Sequence, residues 1–395
     1  MNSAPHDPPA GPPPESYWRL LLRFLRYGFL AWGGPVAQIA MLRQDLVEEE
    51  RWISRERFNR VLAVYQALPG PEATELCVYF GMISRGRVGG ALAGLAFMLP
   101  GFLMMFALSW FYVTYGITSA LFVAVLGGFQ PAVAALIVRA VHRIGSHALT
   151  NRWLWAIAVG VGALTWAGVP FYLGLLSGGL IYSLIRWQQS RSVTLHSTLA
   201  PLILLLLPAA TLAVPSLLAL FGYGLRTGLL TFGGAYTAIP FLQHDAVEVG
   251  RWMTNAQFLD GIALSGVLPA PLIIFSTFVG YLGGGPWGAL AMTAGVFLPA
   301  FSFTLIGHNL MERIIANQAI HAFLDGITGG VIGLIVVGAA PLALSALLNA
   351  ARQPDPLRIM IFGVALVVLY RWQARLNVMV VVLGAGLAGL LAALI

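Results

Sequence analysis

The stretch RYGFLAWGGP, from Arg26 to Pro35, decides the fold, because RTGLLTFGGA repeats it from Arg226 to Ala235. The repeat continues in register through these landmarks: Asp45 and Asp245, Glu48 and Glu248, Arg51-Trp52 and Arg251-Trp252, Phe58 and Phe258, Pro69 and Pro269, Pro71 and Pro271, and, after the loss of one residue, Pro100 and Pro299. A duplicated apolar unit that Gly and Pro interrupt at equivalent places is typical of a secondary transporter.

Composition places the chain in a membrane. Of its 395 residues, 58% are apolar and only 9% are charged, whereas soluble domains carry about 25% charged residues. Stretches such as Gly89 to Val113 exceed the roughly 20 apolar residues that a spanning helix needs, and they lack strand alternation. The sequence therefore predicts an all-α integral membrane protein. Its net charge of +7 is interpreted as arginine in cytoplasmic loops, and no nucleic-acid partner is expected.

The repeat also predicts the domain organisation. Residues 1–16 are rich in proline and are predicted to form a disordered tail. Residues 17–197 and 216–395 are predicted to be the first and second membrane repeats. Residues 198–215 have no counterpart in the repeat and are predicted to form a connecting transmembrane segment.

Arginine content differs between the two copies. In the first repeat, the connector after the Gly-Gly pair carries five arginines, which are Arg43, Arg51, Arg55, Arg57 and Arg60. The matching connector of the second repeat carries only Arg251. Because arginine collects on the cytoplasmic side, this difference indicates that the two halves are inverted-topology repeats.

The Pro-x-Pro motif indicates a discontinuous helix. Pro69-Gly70-Pro71 removes two backbone donors and cannot continue a helix. A hairpin bent there has arms of about half a membrane thickness and keeps the flanking arginines on one side. Re-entrant helices are therefore predicted in both halves. A kinked helix that spans the membrane fully is the alternative.

The interrupted helices predict the substrate site. Backbone groups freed inside a membrane need protein or a water-lined cavity, and a helix that begins there directs N–H groups at it. Breaks that converge would bind a small anion. The residues predicted to form this site are Gly33, Gly34 and Pro35, then Pro69, Gly70 and Pro71, and in the second half Gly233, Gly234, Pro269 and Pro271.

Charged residues inside the apolar segments are functional candidates, because each is costly in a bilayer. Glu72 and Glu75 follow the first Pro-x-Pro break and are predicted to couple transport to protons; their counterparts are Leu272 and Phe275. Capping of their own helix is the alternative. The repeated Arg26 and Arg226 are predicted to bind a tetrahedral oxyanion in bidentate fashion. Snorkelling towards the headgroups is the alternative for both.

Polar residues near the breaks complete the predicted site. Gln66, Thr74 and Ser265 are candidate ligands, with helix packing as the alternative role. Two repeated pairs in the connectors, Asp45/Asp245 and Arg51/Arg251, are expected to form structural salt bridges. His142 and His147 are expected to lie in a loop, because their spacing does not place them on one helix face.

The sequence contains no sign of enzymatic chemistry. A nucleotide-binding loop, an H-E-x-x-H motif and a G-x-S-x-G motif are all missing from it. Its single cysteine, Cys77, excludes an intrachain disulfide and a thiolate metal cluster. We therefore expect neither an enzyme nor a bound cofactor or metal.

Together these motifs resemble the chromate ion transporter family in its long two-domain form. The resemblance lies in the following stretches: Phe29 to Pro35, Gln66 to Pro71, Ala96 to Gly101, Leu230 to Ala235, Phe258 to Gly261 and Phe297 to Pro299. It implies export of chromate from the bacterial cytoplasm through the inner membrane, driven by an ion gradient or the membrane potential, with sulfate as a structural analogue. A homodimer is one oligomeric state compatible with it. Uptake or exchange of sulfate or another oxyanion on the same fold is the alternative, and a non-transporting membrane scaffold is a more remote one.

Two positions depart from the family pattern. Ala270 stands where the family often has glycine, and Ala235 follows the second Gly-Gly pair. Both changes reduce backbone freedom in the second half. The sequence leaves open whether both halves bind the anion equally.

Overall fold

The computed structural model describes residues 11–13, 15–116, 119–190, 215–232, 234–315, 318–349, 352–372, 374 and 376–394. Within these ranges the chain is almost entirely helical, and an isolated β-bridge joins Leu348 to Pro354. The predicted connecting segment, apart from Pro215, falls outside the described residues. Most of the predicted tail does so as well.

The described part forms fourteen α-helices, seven in each half. Those of the first half are α1 (Tyr17–Phe29), α2 (Gly34–Arg43), α3 (Arg55–Ala67), α4 (Glu72–Phe111), α5 (Ala120–Ala148), α6 (Arg152–Trp166) and α7 (Phe171–Ser190). Those of the second half are α8 (Leu217–Leu230), α9 (Ala238–Gln243), α10 (Asn255–Gly266), α11 (Phe275–Ile315), α12 (Gln318–Leu347), α13 (Pro356–Arg371) and α14 (Asn377–Leu394).

Equivalent residues begin equivalent helices. The hydroxyls of Ser16 and Ser216 cap α1 and α8, and those of Ser54 and Thr254 cap α3 and α10. Each connector contains a π-helical turn, Gln44–Glu49 and His244–Val249. Each turn is followed by an arginine with a left-handed backbone, at φ 54° in Arg51 and 53° in Arg251. The duplication is thus preserved down to single dihedral angles.

Helix α3 folds back on the first part of α4. The rings of Phe58 and Phe80 stack with their centroids 6.4 Å apart, and Arg57 Nε donates to the Tyr79 hydroxyl at 3.0 Å. In a straight helix, residues 58 and 80 would lie about 33 Å apart. Gly261 packs against the Phe278 ring in the equivalent place of the second half. Both Pro-x-Pro segments are therefore hairpins, as the sequence predicts, and neither is a kinked full span.

A second hairpin lies inside α4 itself. Arg85 and Gly86 leave the helical region, with φ 63° at Gly86, and the two arms pack together. A Cβ at Gly81 would come within 2.4 Å of the Gly89 carbonyl oxygen. Helix α11 turns in the same way at Gly284 and Gly285. Each half therefore folds its chain back twice in succession.

The expected loop around His142 and His147 is instead helical, because α5 continues to Ala148. Between Gly145 and Asn151, which caps α6, the sequence has no glycine or proline that would end a helix. His142 Nδ1 lies 2.7 Å from the Tyr370 hydroxyl of α13, and His147 Nδ1 lies 2.8 Å from the Arg143 carbonyl oxygen. The prediction of a loop was wrong because α5 continues beyond its apolar part into charged residues.

The two halves exchange helices. Helix α5 packs against α13 and α14 of the second half, and α12 packs against α6 and α7 of the first. Small residues allow this close approach. The aligned residues Gly128 and Gly326 lie against Ala385 of α14 and Gly178 of α7, respectively. The two halves therefore form one interlocked body.

Among the described residues, five helical segments are long and apolar enough to cross a membrane: Glu72–Gly116, Ala120–Ala148, Leu272–Gly307, Ile320–Leu347 and Asn377–Leu394. The chain is a multi-pass, all-α membrane protein built of two homologous halves, as the sequence predicts.

Candidate functional site

The breaks of the two halves meet at the centre of the molecule. The Gly70 amide donates to the Thr231 carbonyl oxygen at 2.9 Å, which joins the first Pro-x-Pro break to the residues before the second Gly-Gly pair. Gly70 also lies beside Ala300, while Ala270 lies beside Gly101. These two contacts are equivalent in the repeat, so the two halves contribute equivalent residues to this meeting point.

The backbone hydrogen bonds at this meeting point differ between the two halves. Ala31 is the counterpart of Thr231, but its carbonyl oxygen accepts from Gln38 Nε2 at 2.9 Å. Ala270 is the counterpart of Gly70, but its amide donates locally to the Leu268 carbonyl oxygen at 2.9 Å. The two halves therefore take different conformations around their breaks.

Two cavities adjoin the breaks. The central cavity, of about 550 Å³, is lined by the first Gly-Gly break, the C-terminal half of α5, the segment after α10 and the start of α14. Its lining residues include Trp32, Gly33, Gly34, Pro35, Arg139, Arg143, Tyr236, Ser265, Ala270 and Asn377. The lateral cavity, of about 540 Å³, includes Pro35, Gln66, Glu72, Arg143, His147, Gly234, Tyr236, His321 and Asp325.

The structure brings together part of the predicted site. Gly33, Gly34, Pro35 and Ser265 line the central cavity, and Gln66, Glu72 and Gly234 line the lateral one. The remaining break residues are buried outside the two linings, and they are Pro69, Gly70, Pro71, Thr74, Pro269 and Pro271. Gly233 lies outside the described residues.

Ser265 is held by the protein itself, since its hydroxyl donates to the Leu272 carbonyl oxygen at 2.9 Å. Asn377 also donates to backbone, from Nδ2 to the Trp372 carbonyl oxygen at 3.0 Å. These polar groups on the central cavity already have partners in this conformation.

The two glutamates after the first break have different surroundings. Glu72 is half-buried on the lateral cavity. Glu75 is fully buried, and both of its carboxyl oxygens lack a hydrogen-bond partner among the described residues. A Cβ at Gly70 would lie 3.1 Å from Glu75 Oε1, which places this carboxyl group directly behind the break.

The repeated arginines of α1 and α8 lie away from both cavities. Arg226 forms a salt bridge with the buried Asp245, so Asp245 pairs with this helix and not with Arg251. Arg26 lines a separate cleft together with Arg19, Arg23 and Asp45. In the connectors, Glu48 pairs with Arg43 and Arg55.

A hydrogen bond of 2.9 Å from His244 lowers the pKa of the Glu248 carboxyl group in the second connector. This interaction, like the arginine pairs, stabilises the connector and leaves the cavities unaffected.

Two arginines of α5 were missed in the sequence. Arg139 and Arg143 are one turn apart and both line the central cavity, and Arg143 also lines the lateral one. They lie in the region around His142 that the sequence predicted to be a loop. Their spacing of four on a continuing helix is the signal that places both on one face.

A buried carboxylate joins the halves below the cavities. Asp260 of α10 accepts from the Tyr112 hydroxyl at 2.8 Å and from Gln130 Nε2 at 3.0 Å. Both donors belong to the first half. Each carboxyl oxygen thus has a partner, and the second-half hairpin is fastened to α5. The equivalent residue of the first half, Arg60, is exposed.

The sequence profile of the chromate transporter family matches residues 18–183 and 218–390, which are the two halves. The chain belongs to the chromate transporter family. The cavities and breaks described above therefore belong to a chromate transporter fold. No solved structure is significantly similar to this chain.

The names of similar proteins agree with this assignment. The chain is 55% identical over 393 residues to the chromate transport protein of Pseudomonas aeruginosa, covering 96% of this chain and 93% of that protein. It is 32% identical over 383 residues to the chromate transport protein of Cupriavidus metallidurans, covering 95% and 92%. A probable chromate transport protein of Synechococcus elongatus is 32% identical over 337 residues, covering 82% and 85%. This chromate transporter homologue thus aligns over nearly the full length of its relatives.

Proposed function

We propose that this protein is a secondary transporter that exports chromate across the bacterial inner membrane by alternating access. The observation that carries the proposal is the meeting of breaks from both halves beside two cavities between the halves. Sites built in this way are typical of transporters whose halves rock about a central substrate. The substrate crosses chemically unchanged, so no enzymatic step is involved.

The arginine distribution supports an orientation for export. The connector after α2 carries five arginines, so we place it in the cytoplasm. The hairpin of α3 and α4 then returns Arg85 and Arg87 to the same side. The second arm of α4 crosses the membrane and α5 crosses back, so the end of α5 near Arg143 faces the cytoplasm. The central cavity would accordingly receive its substrate from inside the cell.

The membrane potential favours this direction. Moving one charge across 100 mV corresponds to about 2.3 kcal/mol. A dianion that leaves a negative-inside cell therefore gains about twice that amount per 100 mV.

Glu72 and Glu75 are proposed to add proton coupling. Glu72 is in reach of the lateral cavity, and Glu75 lies behind the break with both oxygens unpartnered. Protons that bind here would change the charge beside the substrate path during the transport cycle.

The test is chromate uptake by inside-out membrane vesicles or proteoliposomes under an imposed potential. We expect uptake above that of empty liposomes, competition by molybdate and sulfate, and weak competition by phosphate. Gly34→Leu should abolish uptake, because φ is 76° at Gly34 and a leucine is strained there. Export in cells should appear as chromate sensitivity when the protein is removed.

Two results would contradict the proposal. Preferred accumulation of sulfate in the inward direction would assign the protein to sulfate uptake or exchange. Unchanged cellular function in the Gly34→Leu variant, together with no uptake in vesicles, would indicate a non-transporting scaffold.

A further inference from the structure

The central cavity has an uneven charge distribution. Arg139 and Arg143 are one helical turn apart on α5, and both reach its wall. Among the described residues that line this cavity, neither an aspartate nor a glutamate is present. Two positive side chains therefore face a shared space without a negative side chain in the same lining.

These arginines differ from those that the repeat duplicates. Arg226 is engaged by Asp245, and Arg23 is engaged by Glu15 and Glu50. Within the described part of the chain, neither Arg139 nor Arg143 forms a salt bridge with an acidic side chain. Arg139 is half-buried and Arg143 is exposed, so both guanidinium groups are accessible from water. Like charges four residues apart on a helix repel, and a bound anion would relieve that repulsion.

Tyr236 adds a neutral donor to the same place. It follows the second Gly-Gly break and lines both cavities, as Arg143 does. Of the other polar side chains in the lining, Ser265 and Asn377 donate to backbone carbonyl oxygens. The two guanidinium forks carry the positive charge of the lining, and the phenol hydroxyl adds a donor beside them.

The cavity is large enough for a hydrated anion. A water molecule takes about 30 Å³ in the liquid, and the cavity measures about 550 Å³. An oxyanion of five heavy atoms fits there with much of its first hydration shell.

We infer that Arg139 and Arg143, with the Tyr236 hydroxyl, form the binding site for a tetrahedral dianion in the central cavity. The inference rests on the proposed transport function and specifies its site and substrate class. Planar guanidinium forks match the oxygen edges of such an anion and bind it by charge-assisted hydrogen bonds. Two cations neutralise a dianion fully, so monoanions such as nitrate bind less well.

The test measures binding and transport separately. Equilibrium dialysis of the purified full-length protein in detergent, with chromate as the probe, gives the Kd for wild type, Arg139→Gln and Arg143→Gln. We expect each variant to raise the Kd more than tenfold, because a hydrogen bond between charged groups is lost. Tyr236→Phe should raise it less, and nitrate should not compete with chromate.

Matched variants control for charge and folding. Arg152→Gln removes an exposed arginine at the start of α6, outside both cavities, and should leave the Kd unchanged. Arg139→Lys and Arg143→Lys keep the charge but lose the fork, so their affinities should lie between those of wild type and the glutamine variants. Gel filtration of each variant checks that it folds, and the lysine variants decide the question if the glutamine variants aggregate.

The outcomes separate this inference from the proposed function. Wild-type Kd values in Arg139→Gln and Arg143→Gln, with wild-type transport of chromate, would overturn the site and leave the function standing. An equal loss of affinity in Arg152→Gln would also overturn the site, because removing any exposed arginine would then have the same effect. If the wild-type protein neither binds nor transports chromate, molybdate or sulfate, the function fails and the inference fails with it.

Discussion

At the scale of single residues, the copies are chemically unequal just after their Pro-x-Pro breaks. The first half places Glu72 and Glu75 there, and the second half places Leu272 and Phe275. Only the first half therefore has carboxyl groups directly after its Pro-x-Pro break. We propose that this pair gives transport its dependence on pH.

Glu72→Gln and Glu75→Gln should each flatten the dependence of chromate transport on pH. Glutamine keeps the size of the side chain but cannot bind and release a proton near neutral pH. The measurement is initial uptake rate in proteoliposomes across a series of pH values. Glu49→Gln is the control, because Glu49 lies in a connector and bonds to Gln44. A wild-type pH profile in Glu72→Gln would remove that residue from proton coupling.

The sequence identified the residues of the breaks but not the arginines of the cavity. Gly34 and Pro69 were recognisable because each belongs to a cluster, Gly-Gly-Pro or Pro-Gly-Pro, that interrupts a regular helix. The spacing of Arg139 and Arg143 places both on one helix face, but arginines at the end of an apolar segment usually mark a cytoplasmic flank. Their position on a cavity depends on the contacts of α5 with distant helices, which no local pattern encodes.

At the scale of the helices, a change of helix type compensates for the one residue that the second copy lacks. The loss lies between Pro71 and Gly81, whose counterparts are Pro271 and Gly280. After Pro71 the chain is α-helical, whereas Leu272–Ile274 form a 3₁₀ turn. A 3₁₀ helix rises about 2.0 Å per residue, against 1.5 Å for an α-helix, so fewer residues cover a similar distance. The hairpins therefore stay equivalent despite the deletion.

The tight turn inside α4 lies at Arg85 and Gly86. The close contact between its two arms could not be predicted from periodicity. What closes the hairpin is the lack of side chains at Gly81 and Gly89, which allows the two arms to touch. Isolated glycines in membrane helices are common, so this contact has no distinctive sequence pattern.

Gly81→Ala and Gly280→Ala should each lower the apparent Tm of the purified protein. The added methyl group would lie about 2.4 Å from the carbonyl oxygen of the opposite arm in both halves. Such overpacking costs about 1–3 kcal/mol. Gly160→Ala is the control, because no atom lies within 4 Å of a Cβ there. The assignment of these hairpins would be wrong if all three variants melted at the wild-type temperature.

At the scale of the whole molecule, the exchange of helices makes each half depend on the other. The sequence predicts two repeats, and it is natural to imagine them as two separate bundles. Instead α5 packs on α13 and α14, while α12 packs on α6 and α7. Apolar helices suit many partners equally well, so the choice of partner was not predictable from composition.

Expression of residues 1–190 and 191–395 as two chains tests this dependence. Neither fragment should accumulate alone, because the partner faces of α5 or α12 would be unpacked. Together they should copurify and restore chromate resistance. The measurement is the amount of each fragment in membranes, with and without the other. A single fragment that is stable and monodisperse by itself would contradict the interlocked arrangement.

The interlocked arrangement also sets an order for biogenesis. The face of α5 that receives Gly389 of α14 is made early, but α14 is the last of the described helices. At about 5–20 residues per second, roughly ten seconds or more of translation separate the two. In the nascent first half, this face of α5 therefore remains unpacked in the membrane. The packing described here is complete only when α14 inserts.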